Sequence, residues 1–416
     1  MAPLDAPLDT CSPLELEQAL LQRYSVEQGW SSPDQHPVSM ATVHHAADAE
    51  CAKLHIVEGG RWLLTSVDGS VTAYDLNHPN HRGQDIIPQY TGMAAPERTT
   101  HLSVDVLGNA STLIFNVAIS QHCTADDDAP PTWTHFWQVT QHGAGIDAEL
   151  RAIHLTSFNT PGNSVCTDAH LRDKHYLQRV EYHVDYVDLI EIYAWEESNL
   201  HQHKKSVIRD KIGWGVFRLL PNDRLMILRS AEINIYEIPP FVTVPVSDRY
   251  QGSQVTPVMS VLLPGNHLLE GGVSSILMQP SDTYSLIACT DTGIYLATLS
   301  ETASDVRRLH AITDEPCDSS DSRLSAAHVG WRRAYLRYHT YALAVSYDTP
   351  ERHRSGVSDS CFQDSEKTGF GGTIRPVYIT AVYGIIRPYR LKYSQRAPVA
   401  SANARLRAHF VATSGS

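Results

Sequence analysis

The stretch Gly60-Arg61-Trp62-Leu63-Leu64-Thr65-Ser66-Val67-Asp68-Gly69-Ser70-Val71-Thr72-Ala73-Tyr74-Asp75-Leu76 decides the fold. It reads as two short strands, Arg61–Val67 and Val71–Leu76, joined at Asp68-Gly69. Asp-Gly between apolar runs is a hairpin signal, because both residues tolerate the positive φ that such turns need. The second strand alternates, with Thr72, Tyr74 and Leu76 on one face and Val71, Ala73 and Asp75 on the other.

Outward from this hairpin, six more apolar strand runs recur: Ser111–Ser120, Tyr176–Trp195, Arg224–Ile238, Tyr284–Leu299, Ala334–Tyr347 and Pro376–Ile386. With Leu63, Leu113, Gln178, Leu225, Leu286, Tyr335 and Ile379 as markers, the gaps are roughly 50, 65, 47, 61, 49 and 44 residues. Propeller repeats run about 40–50 residues, so the spacing allows one four-stranded blade per run, some with inserted loops. Helical periodicity is nearly absent after residue 40, which disfavours an alternating α/β fold. The expected fold is all-β, a β-propeller of six or seven four-stranded blades, seven by the marker count, with a β-sandwich as the alternative. No WD dipeptide is present, so the repeat is WD40-like only in a degenerate sense.

The expected organisation is a disordered lead over 1–11, an amphipathic helix and linker over 12–40, the propeller over 41–393, and a mobile tail over 394–416. Ser12 can cap that helix, with Pro13 at its first position and Glu15 closing a capping box. Leu16, Leu20 and Tyr24 form its apolar stripe. Cys123–Pro131 and Glu351–Gly372 read as surface loops.

Over 416 residues the net charge is −13, which opposes a phosphate backbone, so no nucleic-acid partner is expected. Seven scattered cysteines (Cys11, Cys51, Cys123, Cys166, Cys289, Cys317 and Cys361) suit free thiols in a reducing compartment. No apolar run approaches 18 residues, so neither a membrane span nor membrane binding is expected; the expected location is intracellular, cytoplasmic or nuclear.

The search for chemistry yields no committed catalytic, cofactor-binding or metal residue. His44-His45-x-x-Asp48 and His201-x-His203 each lack a third ligand at a standard spacing. Cys166-x3-His170-x4-His175 comes closer to a metal set, as one Cys and two His within a loop. No Gly-x-Ser-x-Gly, His-Glu-x-x-His, phosphate-cradling or dinucleotide motif occurs. Lys367-Thr368-Gly369 resembles one penicillin-binding motif, without the Ser-x-x-Lys that would supply its nucleophile. Gly369-x-Gly371-Gly372 reads as a flexible loop and Asp126-Asp127-Asp128 as a solvated one. Arg332-Arg333 and His203-Lys204-Lys205 read as solvated strand ends.

Three segments resemble fungal, mushroom-type F-box-like proteins. They are Glu58–Leu76, Leu219-Leu220-Pro221-Asn222-Asp223-Arg224-Leu225 through Ile235–Pro239, and Gly330-Trp331-Arg332-Arg333-Ala334. The helix from Leu14 to Trp30 is similar to that family's linker between F-box and propeller. The resemblance implies a propeller that captures substrates for a cullin-type ubiquitin ligase. An F-box would lie N-terminal to Leu14, where thirteen residues remain. A Skp-type adaptor is therefore a partner only if an upstream F-box exists. The resulting expectation is a non-catalytic interaction module that binds a protein partner through its propeller loops, with no cofactor. The alternative is a propeller enzyme, a hydrolase with its site at the central channel, which would require converging titratable groups there.

Overall fold

A computed structural model describes most residues between Lys53 and Ser346, together with Pro13 and Glu17. The longer stretches left out within that span are 90–97, 108–111, 124–130, 161–163, 183–186, 210–214, 247–251, 313–323, 330–332 and 339–341. The N-terminal helix apart from Pro13 and Glu17, the linker, the tail, the run Pro376–Ile386, the proposed loop 351–372 and residues 124–130 of the other proposed loop lie outside the described residues, while Cys123 ends a strand rather than opening a loop.

The opening hairpin forms where it is expected. Strands β2 (Trp62–Val67) and β3 (Ser70–Asp75) pair antiparallel, with Leu63 opposite Tyr74 and Leu64 opposite Ala73. Asp68 and Gly69 take φ of 49° and 81°. A Cβ on Gly69 would also collide with the Gln121 side chain, whose Nε2 donates to the Asp68 carbonyl at 2.8 Å. With β1 (Lys53–Ile56) and β4 (Gln84–Ile87) the hairpin makes a four-stranded sheet in chain order, sheet 1.

The pattern then repeats. Sheet 2 holds β5 (Arg98–Val106), β6 (Ile114–Cys123), β7 (Thr132–His142) and β8 (Glu149–Thr160) in chain order. Sheet 3 begins with β9 (Ser164–Arg172), β10 (His175–Tyr182), β11 (Val187–Ala194) and β12 (Gln202–Arg209). Strands β13 (Gly215–Leu220), β14 (Arg224–Arg229) and β15 (Glu232–Glu237) open sheet 4. The chain next reverts to sheet 3, adding β16 (Val242–Pro245) outside β12, before β17 (Met259–Leu262) completes sheet 4. Sheet 5 comprises β18 (Leu268–Val273), the short β19 (Leu277–Gln279), β20 (Thr283–Thr290), β21 (Gly293–Leu299) and β22 (Ser304–Ala311). Sheet 6 has β23 (Leu324–Val329), β24 (Arg333–Tyr338) and β25 (Ala342–Ser346).

The protein is thus all-β, built mainly from four-stranded antiparallel sheets, with no α-helix among the residues described from Lys53 to Ser346. Five of the six further runs fall on these sheets, covering β6, β10–β11, β14–β15, β20–β21 and β24–β25. Apart from β25, the last strand of sheet 6, these are middle strands rich in buried apolar residues, whereas an outer strand such as β22 is largely exposed.

Two compact units divide the chain. The first holds the described residues through Met226 and those of Tyr236–Thr256; the second holds Ile227–Ile235 and those from Pro257 onward. The division passes through β14 and β15. In unit 1 the first strands of successive sheets lie side by side, β1 by β5, β5 by β9, and β9 by β13. One core there joins Trp62, Leu64, Val71 and Ala73 of sheet 1 to Phe115, Val117, Ile119 and Val139 of sheet 2. A second, aromatic core joins Phe136 and Phe158 of sheet 2 to Tyr176, Tyr193 and Trp195 of sheet 3. Full burial of such side chains contributes about 1.5–3 kcal/mol each. In unit 2, Ile287, Ile294 and Leu296 of sheet 5 pack with Ala334, Leu336 and Val345 of sheet 6.

Candidate functional site

Sheet 2 carries the candidate site on its outer pair, β7 and β8. On a regular strand, residues three apart point to opposite faces. Between β7 and β8, however, the register shifts: Phe136 faces Thr156 while the next residue, Trp137, faces His154. Leu155 is the extra residue of a β-bulge, and such bulges re-aim side chains. The bulge brings His154 and Ser157 to the same face, alongside His135, which is the direct partner of Ser157.

The hydroxyl of Ser157 consequently sits between two imidazoles. Its Oγ is 2.7 Å from His135 Nδ1 and 2.7 Å from His154 Nε2. The serine has one proton, so one ring accepts it and the other donates N–H to the oxygen. Burial, with the neighbouring His154 adding to it, lowers the pKa of His135 to about 4, so His135 is neutral at pH 7. His154 lies exposed on β8, the strand that carries Ser157. Aromatic rings hold both imidazoles: Trp133 stacks on His135 at 6.0 Å, and Trp137 meets His154 edge-on at 4.9 Å. The arrangement pairs a hydroxyl nucleophile with a base within hydrogen-bond reach.

Titratable groups also gather on the first strands of unit 1's sheets. Burial lowers His55 on β1 and His101 on β5 to about 4, Lys53 adding to the effect on His101. His170 on β9 is held well below its usual value by burial and by Arg218 and Arg172. His101 Nε2 lies 3.0 Å from the Cys166 carbonyl, while His170 Nδ1 accepts the Leu219 N–H at 3.3 Å. Both neutral rings therefore carry their proton at Nε2, His101 because that atom donates to a carbonyl and His170 because its Nδ1 accepts an N–H. His101 and His170 bond backbone groups, whereas β7–β8 sets a serine hydroxyl against two imidazoles and so offers the nucleophile geometry.

The metal set considered from sequence disperses. Cys166 Sγ donates to the Asp168 carbonyl at 3.2 Å, with its thiol pKa raised by burial. His170 is committed to Leu219, and His175 stacks on Phe241 at 4.9 Å with Asp223 3.7 Å away. Among the described residues no group of three His, Cys, Asp or Glu could hold a metal. Cys166 and Cys289 are free and buried. No described helix is long and apolar enough to cross a membrane.

The basic triplet His203-Lys204-Lys205 is not the solvated strand end expected from sequence. His203 is buried against Phe158 and Tyr193, and Lys205 forms a buried ion pair with Glu191 at 2.9 Å. Only Lys204 faces outward, paired with Glu197 at 2.6 Å. His201 is exposed just before β12. The His44-His45-x-x-Asp48, Asp126–Asp128, Arg332, Lys367–Gly369 and Gly369–Gly372 positions lie outside the described residues. Sequence reading passed over Ser157, His135 and His154. With 22 histidines in the chain, no spacing singles out these two, and the bulge that unites them leaves no sequence mark.

No family model matches the chain, and no curated relative matches it. Among solved structures it is similar to a Trypanosoma rangeli sialidase in complex with sialic acid, at 8% identity and a TM-score of 0.40, over 75% of this chain and 56% of that one. It is also similar to a structure from a study of two prolyl endopeptidases, at 10% identity and a TM-score of 0.28, over 82% and 53% of the two chains. The chain spans just over half the length of each. Both of those are enzymes. The expectation of a non-catalytic interaction module is corrected on this chain's own residues, where Ser157 Oγ lies within hydrogen-bond reach of two imidazoles. Likeness at this depth carries no chemistry, and the catalytic case rests on the chain's own residues.

Proposed function

We propose that the chain is a serine-type hydrolase acting on ester bonds, with Ser157 as nucleophile and His154 as general base. One observation carries the reading: Ser157 Oγ lies 2.7 Å from both His154 Nε2 and His135 Nδ1. Ser157 Oγ attacks the ester carbonyl carbon while its proton passes to His154 Nε2. The tetrahedral adduct collapses, and the leaving alkoxide takes that proton and departs as an alcohol. Water then attacks the acyl-serine, His154 accepts its proton, and the acid is released with the serine restored. The neutral His135 donates Nδ1–H to Oγ and aims its lone pairs. Because it stays uncharged, it does not oppose the imidazolium that forms at His154.

The same reading takes the sheets as propeller blades. Their strand order and the side-by-side placement of β1, β5, β9 and β13 in unit 1 support it.

A fluorophosphonate probe followed by peptide mass spectrometry tests the assignment. The expected result is a single adduct on Ser157 that is absent from Ser157→Ala and slow to form in His154→Ala. Labelling elsewhere, or none on a protein that hydrolyses no p-nitrophenyl ester, would overturn it.

A further inference from the structure

The opposite face of sheet 2 presents a groove of about 570 Å³ against the β9–β10 turn. Across β5, β6 and β7 the register sets Asp105, Asn116 and Gln138 in one row on that face. Asn116 is only 7% exposed, and its Oδ1 has no hydrogen-bond partner among the described residues. Buried amide oxygens are nearly always bonded, so an orphan lining a groove marks a place where a ligand donates. Gln138 and Thr156 line the same groove, and neither side chain has a partner among the described residues.

The turn across the groove is fixed. The Asp173 N–H donates to Asp105 Oδ2 at 2.6 Å, and Trp195 Nε1 donates to the Asp173 carbonyl at 2.9 Å. The indole therefore offers the groove an apolar edge, joined by Leu107 and Leu155. Charges of both signs, Lys174 and Glu196, stand at the lining, so an ionic ligand meets its own sign as well as its opposite.

We propose that this groove binds a neutral, hydroxyl-rich ligand, a mono- or disaccharide. A sugar hydroxyl both donates and accepts. It can supply the proton that Asn116 Oδ1 lacks while accepting from the Gln138 amide, and Thr156 can take either role. The C–H face of a pyranose suits the wall of Leu107, Leu155 and Trp195. The volume falls within the roughly 300–1,000 Å³ typical of small-molecule sites. This inference does not depend on the hydrolase reading.

Saturation-transfer NMR and titration calorimetry on the full chain test it. The probes are methyl glucoside, methyl mannoside and N-acetylglucosamine, with acetate and putrescine as ionic comparators. At least one saccharide is expected to bind. Asn116→Leu should weaken it about tenfold and Thr156→Val a few-fold, as expected for single hydrogen bonds to a ligand. If Asn116→Leu fails to fold, Thr156→Val on the outer strand decides. Ser157→Ala should bind as the parent does, so a failed labelling experiment leaves this result unaffected. No binding by any saccharide, unchanged affinity in the folded variants, or binding confined to acetate or putrescine would overturn the proposal.

Discussion

Sheets 2 and 3 treat their polar side chains in opposite ways. On β10–β12 of sheet 3, Gln178, Glu191, Tyr193 and Lys205 are buried and bond one another. Glu191 accepts from Lys205 at 2.9 Å, from Tyr193 at 2.5 Å and from Gln178 at 3.0 Å. Burial raises the Glu191 pKa, but Lys205, Tyr193 and Gln178 outweigh it and the carboxyl is held below its usual range. On sheet 2, Asn116 Oδ1 is left without a partner, and Ser157 is shared between two imidazoles at an outer strand. The sheet 3 network holds structure even though Gln178 Oε1 is left over, because that atom is sealed in the core. An orphan that lines a groove, or a hydroxyl at an outer strand, can instead meet a ligand.

The largest effect should come from the sheet 2 site. His154→Ala is expected to lower ester hydrolysis by about 10²–10⁴-fold, the usual contribution of a general base, with little change in melting temperature. An equal loss of stability would make His154 structural and collapse the contrast.

Sheet 3 should respond in stability instead. Lys205→Met strands a buried carboxylate and should cost about 3–5 kcal/mol in urea unfolding. Pairing it with Glu191→Met should recover most of that loss, because a well-packed apolar pair is often as stable as a buried ion pair. If the double variant is no better than the single one, the network does more than neutralise charge.

Smaller still is the pH response. His135 and His203 protonate near pH 4 when folded, mainly because burial disfavours their charge, against about 6.5 when unfolded. Between those values the unfolded chain binds more protons. Stability should therefore fall as pH drops from about 6.5 to 4, by at most about 1.4 kcal/mol per pH unit for each imidazole. His55 and His101 act in the same direction. A melting temperature flat across that window would show that these rings are solvated. Least of all, Asn116→Leu should leave unfolding free energy within about 1 kcal/mol, since it removes a polar atom that has no bond to lose.

Legibility in the sequence follows the same division. The middle hairpins are readable because burial enriches β2–β3 and β20–β21 in apolar residues and places Tyr176, Leu177, Ile190 and Ile192 on β10–β11, and Asp68-Gly69 declares its turn. The return of β16 to sheet 3 was not readable, because Val242–Pro245 is a short polar-apolar alternation that any edge could accept. Lys205 looked solvated because a charge in a sequence shows no partner, and Glu191 becomes one only through the pairing of β11 with β12.

By itself the sequence determined an all-β chain of repeated hairpins, since local turn chemistry and strand periodicity act over a few residues. Tertiary structure alone decided the candidate site. One extra residue at Leu155 turns His154 and Ser157 to the same face, and strand pairing sets His135 opposite Ser157. Register and bulges are settled by packing between strands far apart in the chain, which no local pattern encodes.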